Sequence, residues 1–155
     1  MSISLRHFFM IVGLTIGYTF VACSQEEKLP DVMPTLSGPE EWVRPAVKAG
    51  TSAAYFNYIN ELTIADTLLG VESMMAGITQ VHESFKDADG MMAMKHKENV
   101  RVPAGDTLRF TQGGLHIMLM QLNEDLTEGD SVEVQLQFRQ AGTFTKRLPV
   151  TSGSQ

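Results

Sequence analysis

The sequence is nearly devoid of thiols, with one cysteine, Cys23, in 155 residues. A lone thiol excludes an intramolecular disulfide and any metal site built from a pair of thiolates. Histidine is scarce as well, at four residues. No activated nucleophile or carboxylate dyad stands out, and so few imidazoles leave little for a triad, so an enzyme is not expected. Positive charge is also short. Twelve Lys and Arg stand against 18 Asp and Glu, for a formal charge of −6, which gives no electrostatic footprint for nucleic acid. Such a balance tolerates a cationic ligand or a basic partner surface without selecting one. Long amphipathic helical patterns and low-complexity repeats are missing. Methionine, in contrast, is plentiful at ten residues, and hydrophobic residues at 43% with a mean hydropathy of −0.04 suit an ordinary globular domain.

Residues 1–22 read as a targeting segment. Arg6 and His7 form a short n-region, and Phe8 to Ala22 is apolar apart from Thr15, Tyr18 and Thr19. That length matches a signal-peptide h-region and is short for a membrane span. The segment ends Phe20-Val21-Ala22-Cys23, which resembles a bacterial lipoprotein signal cleaved before Cys23 and lipid-modified on it. The alternative is an ordinary signal peptide with an incidental thiol. Residues 23–40, with Pro30, Pro34, Ser37, Gly38 and Pro39, read as a flexible tether between lipid and domain. Ser24 after Cys23 favours outer-membrane sorting over inner-membrane retention.

From Glu41 onward, short apolar runs alternate with turn residues. Candidate strands cover 41–47, 52–59, 63–71, 77–85, 91–95, 99–102, 106–110, 116–122, 131–139 and 143–150. Alternation is clearest where Val132, Val134, Leu136 and Phe138 interleave with Glu133, Gln135 and Gln137. Asp89-Gly90, Gly105, Gly113-Gly114, Gly129 and Gly142 punctuate the runs. Ten short strands without a helix predict an all-β sandwich or barrel over 41–150, and 151–155 reads as a disordered tail.

Histidine and methionine converge on one interval. In His116-Ile117-Met118-Leu119-Met120, strand periodicity puts 116, 118 and 120 on one face and 117 and 119 on the other. His116 and Met118 can therefore chelate one ion from a single strand. If 82–86 and 91–95 form a hairpin centred on Ala88, His82 lies opposite Met94, with Met92 on the same face as a reserve donor and Met120 a second reserve. Each Met taken alone is better read as flexible core filler. His96, between Lys95 and Lys97, reads as solvated. Imidazole and thioether donors together are what a soft monovalent ion prefers, and Cu(I) is the candidate.

The spacing His82-x11-Met94-x21-His116-x-Met118 resembles the signature of the PCuAC family of periplasmic copper(I) chaperones, a His, ten residues, a Met, twenty-one residues, then His-x-Met. The one extra residue falls in the Lys86–Gly90 turn, which can absorb it. Trp42-Val43-Arg44-Pro45, Asp89-Gly90-Met91-Met92, Val102-Pro103-Ala104-Gly105 and Gly113-Gly114-Leu115-His116 also look like that family's segments. The resemblance implies a cupredoxin-like, Greek-key β-sandwich with His82, Met94, His116 and Met118 as Cu(I) ligands. It also implies delivery of the ion in the cell envelope, periplasm-facing, to cytochrome c oxidase or a Sco-type assembly factor. A copper buffer for tolerance, and a non-metal adhesion or assembly module whose methionines form a contact surface, remain as alternatives. A blue-copper electron carrier is excluded, because such sites need a Cys ligand and Cys23 lies outside the domain.

Overall fold

The computed structural model describes residues 41–153. The expected signal peptide, the lipidation of Cys23 and the tether over 23–40 lie outside the described residues, as do Ser154 and Gln155. Ten strands follow in order: β1 (Trp42–Val43), β2 (Thr51–Ile59), β3 (Asp66–Glu72), β4 (Ala76–Lys86), β5 (Met92–His96), β6 (Val100–Val102), β7 (Thr107–Phe110), β8 (Leu115–Leu122), β9 (Ser131–Phe138) and β10 (Gly142–Pro149). Among the described residues there is no helix.

The strands form two antiparallel sheets. One runs β1-β2-β8-β4-β5, with β7 pairing the far half of β2, and the other runs β10-β9-β3-β6. Neighbours such as β2, β8 and β4 are not consecutive in the chain, so the connections cross between sheets as in a Greek key. The alternation read from β9 decides the packing: Val132, Val134, Leu136 and Phe138 are buried, and they face Ala54, Phe56, Val81, Ile117 and Leu119 of the other sheet's inner side within one core. Tyr58 stacks on Phe138 at 4.1 Å between centroids, and Phe56 meets Phe110 at 5.0 Å. Such pairs add about 0.5–1.5 kcal/mol beyond the area they bury.

Three departures from the sequence expectation exceed a single residue, each for a local reason. Strand β1 has two residues, because the chain leaves β2 and Ala46 bridges Leu126 instead, its N donating to Leu126 O at 3.1 Å and its O accepting from Leu126 N at 2.8 Å. Strand β3 starts at Asp66 rather than at 63. The buried Asn60 amide donates to the carbonyls of Ile64, Val102 and Pro103 at 3.0–3.1 Å and its Oδ1 accepts from Leu62 N at 3.2 Å, which holds 60–64 as a turn. Residues 151–153, expected to be disordered, are tied down. Thr151 N donates to Val43 O at 3.0 Å, the Ser152 hydroxyl donates to Glu128, and Gly153 lies so close to the Trp42 indole that a Cβ there would fall 2.8 Å from it.

Asp66 anchors the second sheet. Its carboxylate accepts from the backbone N–H groups of Thr67, Gln140 and Ala141 at 2.7–2.9 Å, joining the start of β3 to the β9–β10 turn. Burial alone would raise its pKa, but these N–H donors outweigh that and hold it below the usual carboxylate value.

Candidate metal centre

Strand β8 lies in the middle of the larger sheet, between β2 and β4. Ile117 and Leu119 are wholly buried in the core, which forces His116, Met118 and Met120 onto the outward face. His116 is nonetheless only 4% exposed. On this outer face Met118 packs against a small cluster of Trp42, Ala53 and Tyr55, and Tyr55 stands 6.4 Å from the His116 ring. The His116 Nδ1–H donates to the carbonyl of Gly114 at 3.0 Å. That carbonyl also accepts from Ser84 N at 3.1 Å, so it is fixed from two sides. The bond selects the tautomer in which Nε2 keeps its lone pair, the arrangement found behind metal-binding imidazoles.

The β4–β5 hairpin differs in register from the sequence expectation. Its centre is Asp89, not Ala88: His82 pairs with His96, Ser84 with Met94 and Lys86 with Met92. The turn explains the shift. Asp87 N donates to Met91 O at 2.9 Å, and the Asp87 Oδ1 accepts from Asp89 N and Met91 N at 3.0 and 2.8 Å. Gly90 sits at φ 78°, the left-handed position that a three-residue hairpin loop requires. On the inner side of the hairpin Glu83 binds both Lys95 and Lys97, at 3.1 and 3.2 Å.

The consequence is a row of rings across five strands. Trp42 and Tyr55 are 4.7 Å apart, His116 and His82 6.2 Å, and His82 and His96 5.8 Å. His82 and His116 are direct cross-strand partners on β4 and β8. Two imidazoles bound to one ion through nitrogens about 2 Å from it hold their centroids at most about 6.4 Å apart, so this spacing admits a shared ion. The His82 Nε2–H donates to Gln80 Oε1 at 3.1 Å, leaving Nδ1 with its lone pair. Burial first, and then the neighbouring imidazoles of His116 and His96, push the His82 pKa below its ordinary value. The shift disfavours the protonated ring, and the neutral form is the one a metal ligand needs.

The expected donors His82, Met94, His116 and Met118 share one face of one sheet, but they do not all meet. Met118 is opposite Gln80 and Met94 is opposite Ser84, on either side of the histidine row. Four residues along the strands and two strands across put their Cα atoms about 16 Å apart, too far for two thioethers to reach one ion in this register. Met92 and Met94 are exposed at 62% and 61%, and Met120, opposite Ile78, is one step further from the row than Met118. His96 was read as a solvated imidazole among lysines. It is half exposed, yet it faces His82 directly, and the Asp87–Gly90 turn chemistry was the signal that could have placed it. Among the described residues no three His, Cys, Asp or Glu side chains converge, so the donors grouped here are a mixed nitrogen and sulfur set and not a carboxylate cage.

Residues 36–150 match the model of the family described as "Putative lipoprotein LpqE-like". The chain belongs to the LpqE-like family. Among its relatives is the "Putative lipoprotein Lxx21020" of Leifsonia xyli subsp. xyli, 33% identical over 109 residues. The match covers 70% of this chain and 65% of that relative's own length. The fold of this LpqE-like chain recurs in the copper-bound PCuAC domain from PmoF2, with a TM-score of 0.59 at 22% identity over 74% of this chain and 91% of that one. It recurs again in CuI-DR1885 from Deinococcus radiodurans, with a TM-score of 0.54 at 24% identity over 76% and 80%. The expected cupredoxin-like sandwich is therefore the architecture found for PCuAC domains.

Proposed function

We propose that this LpqE-like chain is a copper(I) chaperone of the cell envelope, holding one ion through His82, His116 and Met118. Residues 1–22 act as its lipoprotein signal, a lipid on Cys23 as its anchor and 23–40 as the tether from which 41–150 reaches into the periplasm. Membrane sorting follows Ser24, toward the outer membrane. The observation that carries the reading is the cross-strand pair of His82 and His116 at 6.2 Å, with Met118 the next outward residue on β8 and the His116 tautomer fixed by Gly114 O. The shared fold with a copper-bound PCuAC domain supports it.

The donor set suits cargo. Imidazole and thioether are neutral and soft enough for Cu(I), which accepts low coordination numbers, so a recipient's ligands can replace them stepwise. A thiolate recipient, softer and charged, draws the ion onward. The copper centre of cytochrome c oxidase, or a Sco-type assembly factor, is the recipient proposed.

Titration of the purified full chain against a chromogenic Cu(I) chelator under reducing conditions tests the reading. One equivalent bound, with zinc and magnesium ignored, is the expected result. Undiminished uptake by a His116→Ala, Met118→Ala chain would sink the site. Absence of uptake by the unaltered chain leaves the non-metal assembly module in its place.

A further inference from the structure

Strand β5 repeats the donors of β8 in reverse order. Its outward residues are Met94 and His96, Met-x-His, where β8 carries His116 and Met118, His-x-Met. His82 stands between the two pairs, 6.2 Å from His116 and 5.8 Å from His96. Both spacings lie within the limit of about 6.4 Å for two imidazoles on one ion. Lys97 N donates to Val81 O at 2.8 Å, which makes 82 and 96 a non-hydrogen-bonded pair, the kind in which side chains approach most closely. The two pairs differ in access. His116 is buried, whereas His96 and Met94 lie on a strand that, among the described residues, has no neighbour beyond it in the sheet.

We infer that His96 and Met94, with His82 as a donor shared between positions, form an outer station to which the copper(I) ion moves from His116 and Met118 before transfer. This rests on the chaperone reading. His82 stays bound throughout, so the ion exchanges one imidazole and one thioether for another and is never left without a ligand. No electron moves, because the ion stays copper(I) and only its ligands change. The sheet edge then presents the ion to an incoming recipient, while buried His116 and half-buried Met118 keep it from water. Met94, about 16 Å from Met118 along this register, finds its place here rather than at the inner site.

Two measurements on the full chain test the outer station, with circular dichroism to confirm folding. The His116→Ala, Met118→Ala chain is expected to retain weaker binding of a single Cu(I), with the ring protons of both His82 and His96 shifting on loading, and to lose it when His96→Ala is added. In the otherwise unaltered chain, His96→Ala is expected to leave affinity within about threefold but to slow removal of Cu(I) by a competing chelator roughly tenfold, the size of effect typical of groups beside a metal. Met94→Leu, which keeps the side-chain volume, slows removal in the same direction. Three results overturn the station and leave the inner site standing: no residual binding in the double variant, residual binding that survives loss of His96, or removal from His96→Ala at the unaltered rate. A full chain that takes up no copper(I) overturns both proposals.

Discussion

Strands β8 and β5 carry the same donors on the same face, yet they sit in opposite surroundings. Strand β8 has β2 on one side and β4 on the other, and His116 is 4% exposed with Met118 packed against Trp42 and Tyr55. Among the described residues strand β5 pairs only with β4, and its Met94 is 61% exposed. On β8 the rotamers are fixed by folding, so an arriving ion meets donors already ordered. On β5 the same side chains lose their freedom only when the ion arrives, which costs up to about 2 kcal/mol for a Met. On the proposed reading, the number of a strand's neighbours, and not ligand identity alone, sets how firmly it holds copper(I).

The largest effect should come from breaking the inner strand. His116→Ala is expected to lower copper(I) affinity roughly 100-fold, the upper end for groups that hold or orient a metal, where His96→Ala changes it about threefold or less. The same change leaves a cavity beside Tyr55 and should cost about 2 kcal/mol in urea denaturation. Equal losses at the two positions would erase the distinction between the strands. Next comes Gly114→Ala. A Cβ there would fall 2.9 Å from Thr111 Oγ1, shifting the carbonyl that holds His116 Nδ1. Affinity should fall roughly tenfold without loss of any ligand, read by the same chelator competition.

The pH response sharpens the comparison from between the strands. His82 has a pKa below its ordinary value, because of burial first and then of His116 and His96. Its lowered folded pKa means that the unfolded chain takes up the proton more readily. The stabilising contribution is therefore complete above the unfolded value, near 6.5, and is lost as pH falls through that value to the folded one. Copper(I) affinity should fall over the same acid range, since the proton and the metal compete for His82. Removing His96 takes away one of the charges that disfavour protonation, so in His96→Ala the His82 ring protons should titrate at a higher pH than in the unaltered chain. An unchanged titration curve would mean that the edge histidine does not feel the inner one.

Much of this was legible in the residues. The alternation of β9 fixed its buried face, and His116-Ile117-Met118 announced an imidazole and a thioether on one side of a strand. The hairpin register was not legible by counting alone. His82 was expected to face Met94, and it faces His96, because the Asp87 side chain caps the turn and Gly90 takes the left-handed position, moving the centre to Asp89. A shift of two residues on one strand keeps every side chain on its face and changes only its partner. That is why the face was read correctly and the neighbour was not. Nor could spacing show that Gly114 O would fix the His116 tautomer, which depends on β4 arriving alongside.

The smallest expected effect is also the one that separates two pictures of the edge strand. Met94→Leu conserves volume at an exposed position, so stability should change by no more than about 0.5 kcal/mol, and equilibrium affinity by about threefold or less. Met118→Leu, equally conservative in shape, removes a sulfur from the packed strand and should cost considerably more affinity in the same titration. The difference follows from the register, which sets the two thioethers about 16 Å apart and allows only one of them at the buried ion. Should Met94→Leu lose as much affinity as Met118→Leu, the hairpin must leave its observed register when copper is present and fold Met94 onto the same ion. Strand β5 would then be a lid that closes over the metal.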